Sequence, residues 1–350
     1  MRFRLEDQTV KKIKSFLLAF ASLAVICSTQ SSAATIAQDF SGDPFSDGWR
    51  ISGDTNLFHW DKTNQNLQVT WDSSRPNSYF YHPLGTVLAR DDDFSIGFDL
   101  FLNDIMSGNE PGKTGALEIG IGLFNFIGAT RTNFMRGAFG GAPNVVEFDY
   151  FPAGYFEGFG DVAPTTTATF VSNNGFAYAP TMFTPYVLAL PTNQTVHVSM
   201  NFTGSNQTLR LLVTTNSVSL AQFPDIVLTD PKSAAFTSSD DFRLDAFSIS
   251  SYSSAGDDYD SVFAHGTIGN IVVTTPPLAI QNLKGSFSNS LWQVQFNGRT
   301  NWQYALERTV DLQSWSTISA LTNGSIEITV LSETNSVSDK AFYRVRATRP

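Results

Sequence analysis

Val196-His197-Val198-Ser199-Met200-Asn201-Phe202, then Gly204-Ser205-Asn206, then Leu209-Arg210-Leu211-Leu212-Val213: apolar side chains recur at alternate positions, stop at three turn-forming residues, and resume. A period of two is the mark of a strand with one face buried. Two such runs around a Gly/Asn turn predict an antiparallel hairpin.

The period extends outward from this hairpin. Leu67-Gln68-Val69-Thr70-Trp71 and Phe94-Ser95-Ile96-Gly97-Phe98-Asp99-Leu100 alternate. Leu117-Glu118-Ile119-Gly120-Ile121-Gly122-Leu123 alternates apolar residues with Glu and Gly. Phe242 to Ile249 and Gly269 to Val273 close the region, and no later segment reads as an amphipathic helix. Many strands with Gly, Asn and Asp turns between them predict an all-β, antiparallel sandwich or jelly roll. The composition agrees. Only 15% of the residues are charged and thirty are Phe, a set that fits pleated, half-buried surfaces.

At 350 residues the chain is long enough for about two domains. The alternation breaks at Thr274-Thr275-Pro276-Pro277-Leu278. Adjacent prolines lack backbone donors and favour extended chain, so residues 276–280 are expected to be a linker. Beyond it, residues 281–350 hold three of the six tryptophans, Trp292, Trp302 and Trp315, and further strand patterns at 292–296, 304–308 and 342–346. A smaller sandwich of immunoglobulin or fibronectin type is expected there.

The first 33 residues have the order of a signal peptide: Lys11, Lys12 and Lys14, an apolar run from Phe16 to Ile26, then Ser31-Ser32-Ala33-Ala34. The apolar run is too short to span a bilayer as a helix. The chain is therefore expected to be exported, with cleavage after Ala33 or Ala34. Cys27, the sole cysteine, lies inside this leader. The remainder has no thiol for a disulfide and must be held by burial. Ile26 before Cys27 is too bulky for a lipid-attachment site. No other segment is apolar and long enough for a membrane span.

The net charge is −10. Residues 1–33 carry five basic and two acidic side chains, which leaves −13 for the rest. Residues 34–279 hold ten basic and twenty-five acidic side chains. A field of that sign repels phosphate backbones, which argues against nucleic-acid binding. It suits solubility and leaves room for a bound cation.

Gln38-Asp39-Phe40-Ser41-Gly42-Asp43 with Gly48-Trp49, and Asn66-Leu67-Gln68-Val69 after it, resemble the opening of concanavalin A-like sandwich domains. His265 to Val273 resembles their last strand. The resemblance spans residues 34–275 and implies a concanavalin A-like jelly roll. The stretches Tyr304-Ala305-Leu306-Glu307-Arg308, Asp311-Leu312 with Trp315, and Phe342-Tyr343-Arg344-Val345 are similar to a terminal module of many secreted bacterial proteins. Together with Val146-Glu147-Phe148-Asp149-Tyr150-Phe151-Pro152, the chain resembles a group of exported bacterial proteins, a likeness that implies no activity.

The last of those stretches carries the candidate chemistry. In a strand, Glu147 and Asp149 share a face with Val145 and Phe151, their Cα atoms about 6.5–7 Å apart. Two carboxylates so placed repel, which raises an apparent pKa or calls for a cation. Three readings follow. The segment resembles the Glu-x-Asp-x-x-Glu or Glu-x-Asp-x-Glu strand of laminarinase-like glycosidases, whose first Glu is the nucleophile and last the acid/base. Here that last position falls on Phe151 or Pro152, and Glu157 lies beyond a Pro-Ala-Gly break. Hydrolysis in that manner needs both acids, so no catalytic residue is assigned. The segment also resembles the Val-Glu-Phe-Asp strand of legume lectins, which implies metal ligation by Glu147 and Asp149, with Asp161 as a later acid and Ca²⁺ as the ion. Ala153 stands where those lectins have Asn, and residues 167–173 contain no His. In the third reading both acids lie on the solvent face of a strand, as alternation alone explains.

Weaker features are Asp91-Asp92-Asp93 and Asp257-Asp258-Tyr259-Asp260, read as solvated turns or loop Ca²⁺ ligands. His59, His82, His197 and His265 show no zinc-protease spacing, and there is no Gly-x-Ser-x-Gly elbow. Trp49, Trp60 and Trp71 read mainly as core, Trp71 because it alternates with Leu67 and Val69. Tyr79 and Tyr81 share a face opposite Phe80 and are the better candidates for an open sugar-stacking platform. The expected function is an exported, non-catalytic binding protein with a polysaccharide or surface glycan as partner. A structural envelope protein and a glycoside hydrolase are the alternatives. The site residues are Tyr79, Tyr81, Glu147 and Asp149.

Overall fold

The structure, a computed structural model, describes residues 33–132, 134, 144–152, 161–167, 181–183, 186–228, 241–256, 258–288, 291–325, 327–333 and 341–350. The leader with Cys27, and Ala153, Glu157, Asp257 and residues 168–173, lie outside them.

The protein is an all-β, antiparallel sandwich. Its first large sheet runs in the order 218–219, 208–215, 195–203, 94–107, 260–275, 66–72, 58–61, with 34–38 added beside 260–275. The hairpin read from sequence is present, with Thr203 paired to Thr208 across the turn. Phe94, Ile96, Phe98 and Leu100 are buried while Ser95, Gly97 and Asp99 between them are half-exposed. Alternation of this kind means one face on the core and one toward water.

The second large sheet runs 181–183, 161–167, 145–151, 119–124, 244–251, 78–88, 50–52. Its inner face carries Phe80, Ile249, Ile121 and Phe148, which stand side by side across four strands. The ring of Phe148 meets Phe98 of the facing sheet edge-on, 5.9 Å between centroids. This sheet is buried on both faces: every residue from Ile119 to Phe124 and from Val145 to Phe151 is buried. Trp49 and Trp71 belong to the core, as their pattern predicts, and the Trp60 indole donates to the Phe40 carbonyl oxygen at 3.0 Å.

Past Pro277 the strands form two small sheets, 281–288 with 291–297 and 328–333, and 303–309 with 316–317, 322–323 and 342–348. They enclose a separate core of Val294, Phe296, Trp302, Tyr304, Leu306 and Leu331. This part is pinned to the large sandwich by ions. Asp92 accepts from Arg299 and Arg349, and Asp91 accepts from Arg349 and, at 2.9 Å, from the Asn301 amide. The side chains of Asp92 and Arg349 are almost wholly buried. Burial pulls the Arg349 guanidinium down to about 10 and pushes the Asp92 carboxyl up against the pull of its arginines. Within the Asp91–Asp93 run, Asp91 and Asp93 are exposed, as a solvated turn predicts, and Asp92 is buried against the two arginines. Asp93 is engaged as well, accepting from the Gly204 backbone N–H at 2.8 Å.

Candidate functional site

The strand pairing brings the four expected site residues onto one face of the second sheet. Tyr81, Ser248, Gly122 and Glu147 form one row across four strands. Tyr79, Ser250, Gly120 and Asp149 form the next. This is the face turned away from the sandwich core.

That face is closed, and the expectation of exposure fails for all four. Glu147 is 1% exposed, Asp149 0%, Tyr79 1% and Tyr81 8%. Neither acid stands on a solvent face. A covering segment lies over the two tyrosines. Its short helix Phe126–Ala129 is capped by the Asn125 side chain, which accepts from the Gly128 N–H. The Tyr79 hydroxyl donates to the Ala129 carbonyl oxygen at 2.9 Å. Phe126 stacks on Tyr81 at 4.4 Å, and Phe134 packs against Tyr252 at 6.3 Å. Tyr79 and Tyr81 are thus the floor under this cover, not an open platform.

Sequence reading missed Tyr252. Its hydroxyl donates to Glu147 Oε2 at 2.8 Å. The tyrosine crosses to that acid over Gly120. A Cβ on Gly120 would lie 2.5 Å from Tyr252 Cε2 and 3.1 Å from Glu147 Oε2. Gly122 is packed as tightly, against the Glu147 backbone. The two glycines in the alternating strand make room for the acid and its tyrosine. Nothing in the local pattern around Tyr252, 105 residues from Glu147, signals the pairing.

Asp161 pairs with Phe151 in the neighbouring strand. It therefore stands two residues beyond the register partner of Asp149, Ala163. Among the described residues, no three His, Cys, Asp or Glu side chains converge as a metal centre requires. Two histidines do pair with aspartates on the opposite sheet: His197 Nδ1 with Asp99 Oδ1 at 2.8 Å, and His265 Nδ1 with Asp104 Oδ1 at 2.9 Å. Among the described residues neither ring bonds a serine hydroxyl, so the geometry supplies no nucleophile to them.

An open cleft of about 540 Å³ lies beyond the covering helix, between the large sandwich and the part that follows Pro277. Phe126, stacked on Tyr81, forms its aromatic side, with Arg50 and Asp245 nearby and Trp302 and Ala347 contributed from beyond Pro277. Among the described residues, Asp245 is the single carboxylate in its lining. It accepts from the Phe126 backbone N–H at 2.8 Å and the Asn125 amide at 3.3 Å. Burial pushes its carboxyl upward. Clefts of this size with a few polar groups on apolar walls are where proteins take small ligands.

No family model and no curated protein matches the chain. Among solved structures, the fucose-complexed lectin I of Ulex europaeus aligns with 70% of this chain and 99% of its own, at 11% identity and TM-score 0.40. The Lotus tetragonolobus seed lectin aligns with 69% of this chain and 98% of its own, at 9% identity and TM-score 0.40. A legume lectin-like domain from Entamoeba histolytica aligns with 68% and 95%, at 10% identity and TM-score 0.39. Likeness of this degree assigns neither ligand nor residue roles to this chain.

Proposed function

We propose that this is an exported, non-catalytic binding protein whose ligand is a carbohydrate. The observation that carries the reading is the cleft beside Phe126: aromatic surface, one carboxylate and one guanidinium. Sugar rings stack their C–H faces on aromatic rings and hydrogen bond through their hydroxyls to charged and polar groups, and Asp245 and Arg50 offer both an acceptor and a donor. A lone carboxylate binds hydroxyls but cannot run glycoside hydrolysis, which takes an acid and a second carboxylate across the bond. The other acid pair, Glu147 and Asp149, is buried, with the Tyr252 hydroxyl donating to Glu147.

The test pairs retention with turnover. The protein, with and without Ca²⁺, is passed over immobilised glucans, mannans, galactans and a glycan array, and the same polymers are assayed for released reducing ends. Retention without release is the expected result. Retention on none of them overturns the reading. Release that disappears in Asp245→Asn replaces it with catalysis.

A further inference from the structure

We propose that two copies of this chain join edge to edge through the strand Gln281–Ser288, pairing antiparallel about a two-fold axis at Gly285. The proposal does not depend on the carbohydrate reading.

The strand is an open edge. Among the described residues it pairs only with Leu291–Asn297, and every residue from Asn282 to Phe287 is exposed. Alternate backbone N–H and C=O groups of such a strand point to where a further strand would lie. Its apolar residues stand on the side that should be covered. Gly285 lies opposite Val294 and Phe287 opposite Trp292, and residues directly opposite share a face. Leu283, two positions before Gly285, shares that face too. It is the face that holds the small core around Val294 and Phe296, yet Leu283 is 51% and Phe287 63% exposed. The Trp292 ring lies across Gly285, where a Cβ would come within 2.6 Å of its Cζ2, and stacks on Tyr343 at 5.0 Å. The core face therefore runs on to the edge of the sheet and meets water there.

The edge is complementary to itself. Regular pairing breaks between Gln281 and Lys284, with Asn282 in the left-handed region at φ 53°. The stretch Leu283-Lys284-Gly285-Ser286-Phe287 that remains is symmetric about its middle residue. With the axis at Gly285, Leu283 lies opposite Phe287 of the second copy, and Phe287 opposite its Leu283. Two apolar cross-strand pairs form on the core face, as a two-fold interface requires. Lys284, a charge of the kind that keeps edges apart, is on the outer face and lies opposite Ser286. An axis at Lys284 would set two ammonium groups against each other, and an axis at Ser286 would set Phe287 against Gly285. Of these registers, the one at Gly285 joins apolar to apolar with no like charges opposed. The other edge of the same sheet differs: its exposed Val330 lies opposite Gln295, on the outer face.

The experiment uses the mature chain from residue 34 on, which contains no cysteine. Sedimentation equilibrium over a wide range of concentration is expected to show monomer and dimer in exchange. Phe287→Lys is expected to shift the chain to monomer without changing its melting temperature, because the side chain is already exposed. Val330→Lys is the control and should dimerise as the wild type does. The register is read by oxidation. Directly opposed Cβ atoms lie about 4.5–5.5 Å apart and diagonal ones about 7–8 Å, and a disulfide needs the shorter separation. Lys284→Cys mixed with Ser286→Cys should therefore cross-link faster than either variant with itself. A monomer at every concentration overturns the proposal and leaves the edge to a partner of another kind. A dimer that Phe287→Lys does not weaken also overturns it. Cross-linking of each variant with itself as fast as in the mixture overturns the axis at Gly285. If Phe287→Lys melts lower, the cross-linking decides alone.

Discussion

At the scale of single residues, Glu147 shows what alternation reveals and where it stops. Its strand and its sharing of a face with Asp149 follow from a period of two. The burial of that face does not follow, because it depends on residues of other segments, Tyr252 among them. The same holds for Tyr79 and Tyr81: their being opposite Phe80 is readable, but a sheet buried on both faces gives no polar side to betray which residues meet water. Gly120 is a sharper case, since in sequence it looks like a weak point in a strand. In the fold it is the space through which Tyr252 reaches Glu147. Gly120→Ala is expected to cost about 1–3 kcal/mol through overpacking, read as a lowered urea midpoint with unchanged slope. Tyr252→Phe removes the donor to a buried carboxyl and is expected to cost about 1–3 kcal/mol by the same measurement. An unchanged midpoint in both variants would mean that the enclosure of Glu147 contributes nothing to stability.

At the scale of elements, strands were readable and the turns and cross-links that tune them were only partly so. The Asp311-Leu312 stretch, one of those similar to a terminal module, is a turn. The Asp311 carboxylate accepts from the Thr309 hydroxyl and from the Gln313 and Ser314 backbone N–H groups. Those bonds, the Ser314 N–H first, lower its pKa to about 2. A depressed carboxyl pKa stabilises the fold above the ordinary value near 4 and loses that contribution as pH falls toward 2. Asp311→Asn should therefore reduce the difference in melting temperature between pH 5 and pH 2 relative to the wild type. Tyr343 behaves in the opposite sense. Burial, and then its hydrogen bond to Glu333, pushes its phenol up to about 12. A raised phenol pKa leaves its stabilisation complete below the ordinary value near 10, with loss as pH climbs through 12. Tyr343→Phe should remove that alkaline loss, seen as a flatter stability profile between pH 10 and pH 12.

At the scale of the whole molecule, the two-sheet architecture was available from pattern alone, while the union of its parts was not. Pro276-Pro277 reads as a spacer, and a sequence holds no sign that Asp92 will meet Arg299 and Arg349 more than two hundred residues away. Those bonds are a buried, charge-assisted cluster, in which loss of one member strands the others. Asp92→Ala is expected to cost about 3–5 kcal/mol. A second unfolding transition in denaturant, absent from the wild type, would accompany it if the part beyond Pro277 comes loose first. A single transition at the wild-type midpoint would show that the cluster does not hold the parts together.

The sixteen-residue strand Asp260–Thr275 lies between 94–107 and 66–72 and also takes 34–38 along its end, pairing Ala34 with Thr275. The earliest strand of the sandwich thus waits for its latest one. A growing polypeptide has no partner for its first segment, and no middle for its larger sheet, until some 240 further residues have been made. Contacts this distant along the chain form slowly. Polypeptides ending before residue 260 should stay protease-sensitive, whereas one ending just past residue 280 can at least complete the large sheet. A molecule built this way leaves its larger sheet incomplete until its closing strand, Asp260–Thr275, has been made.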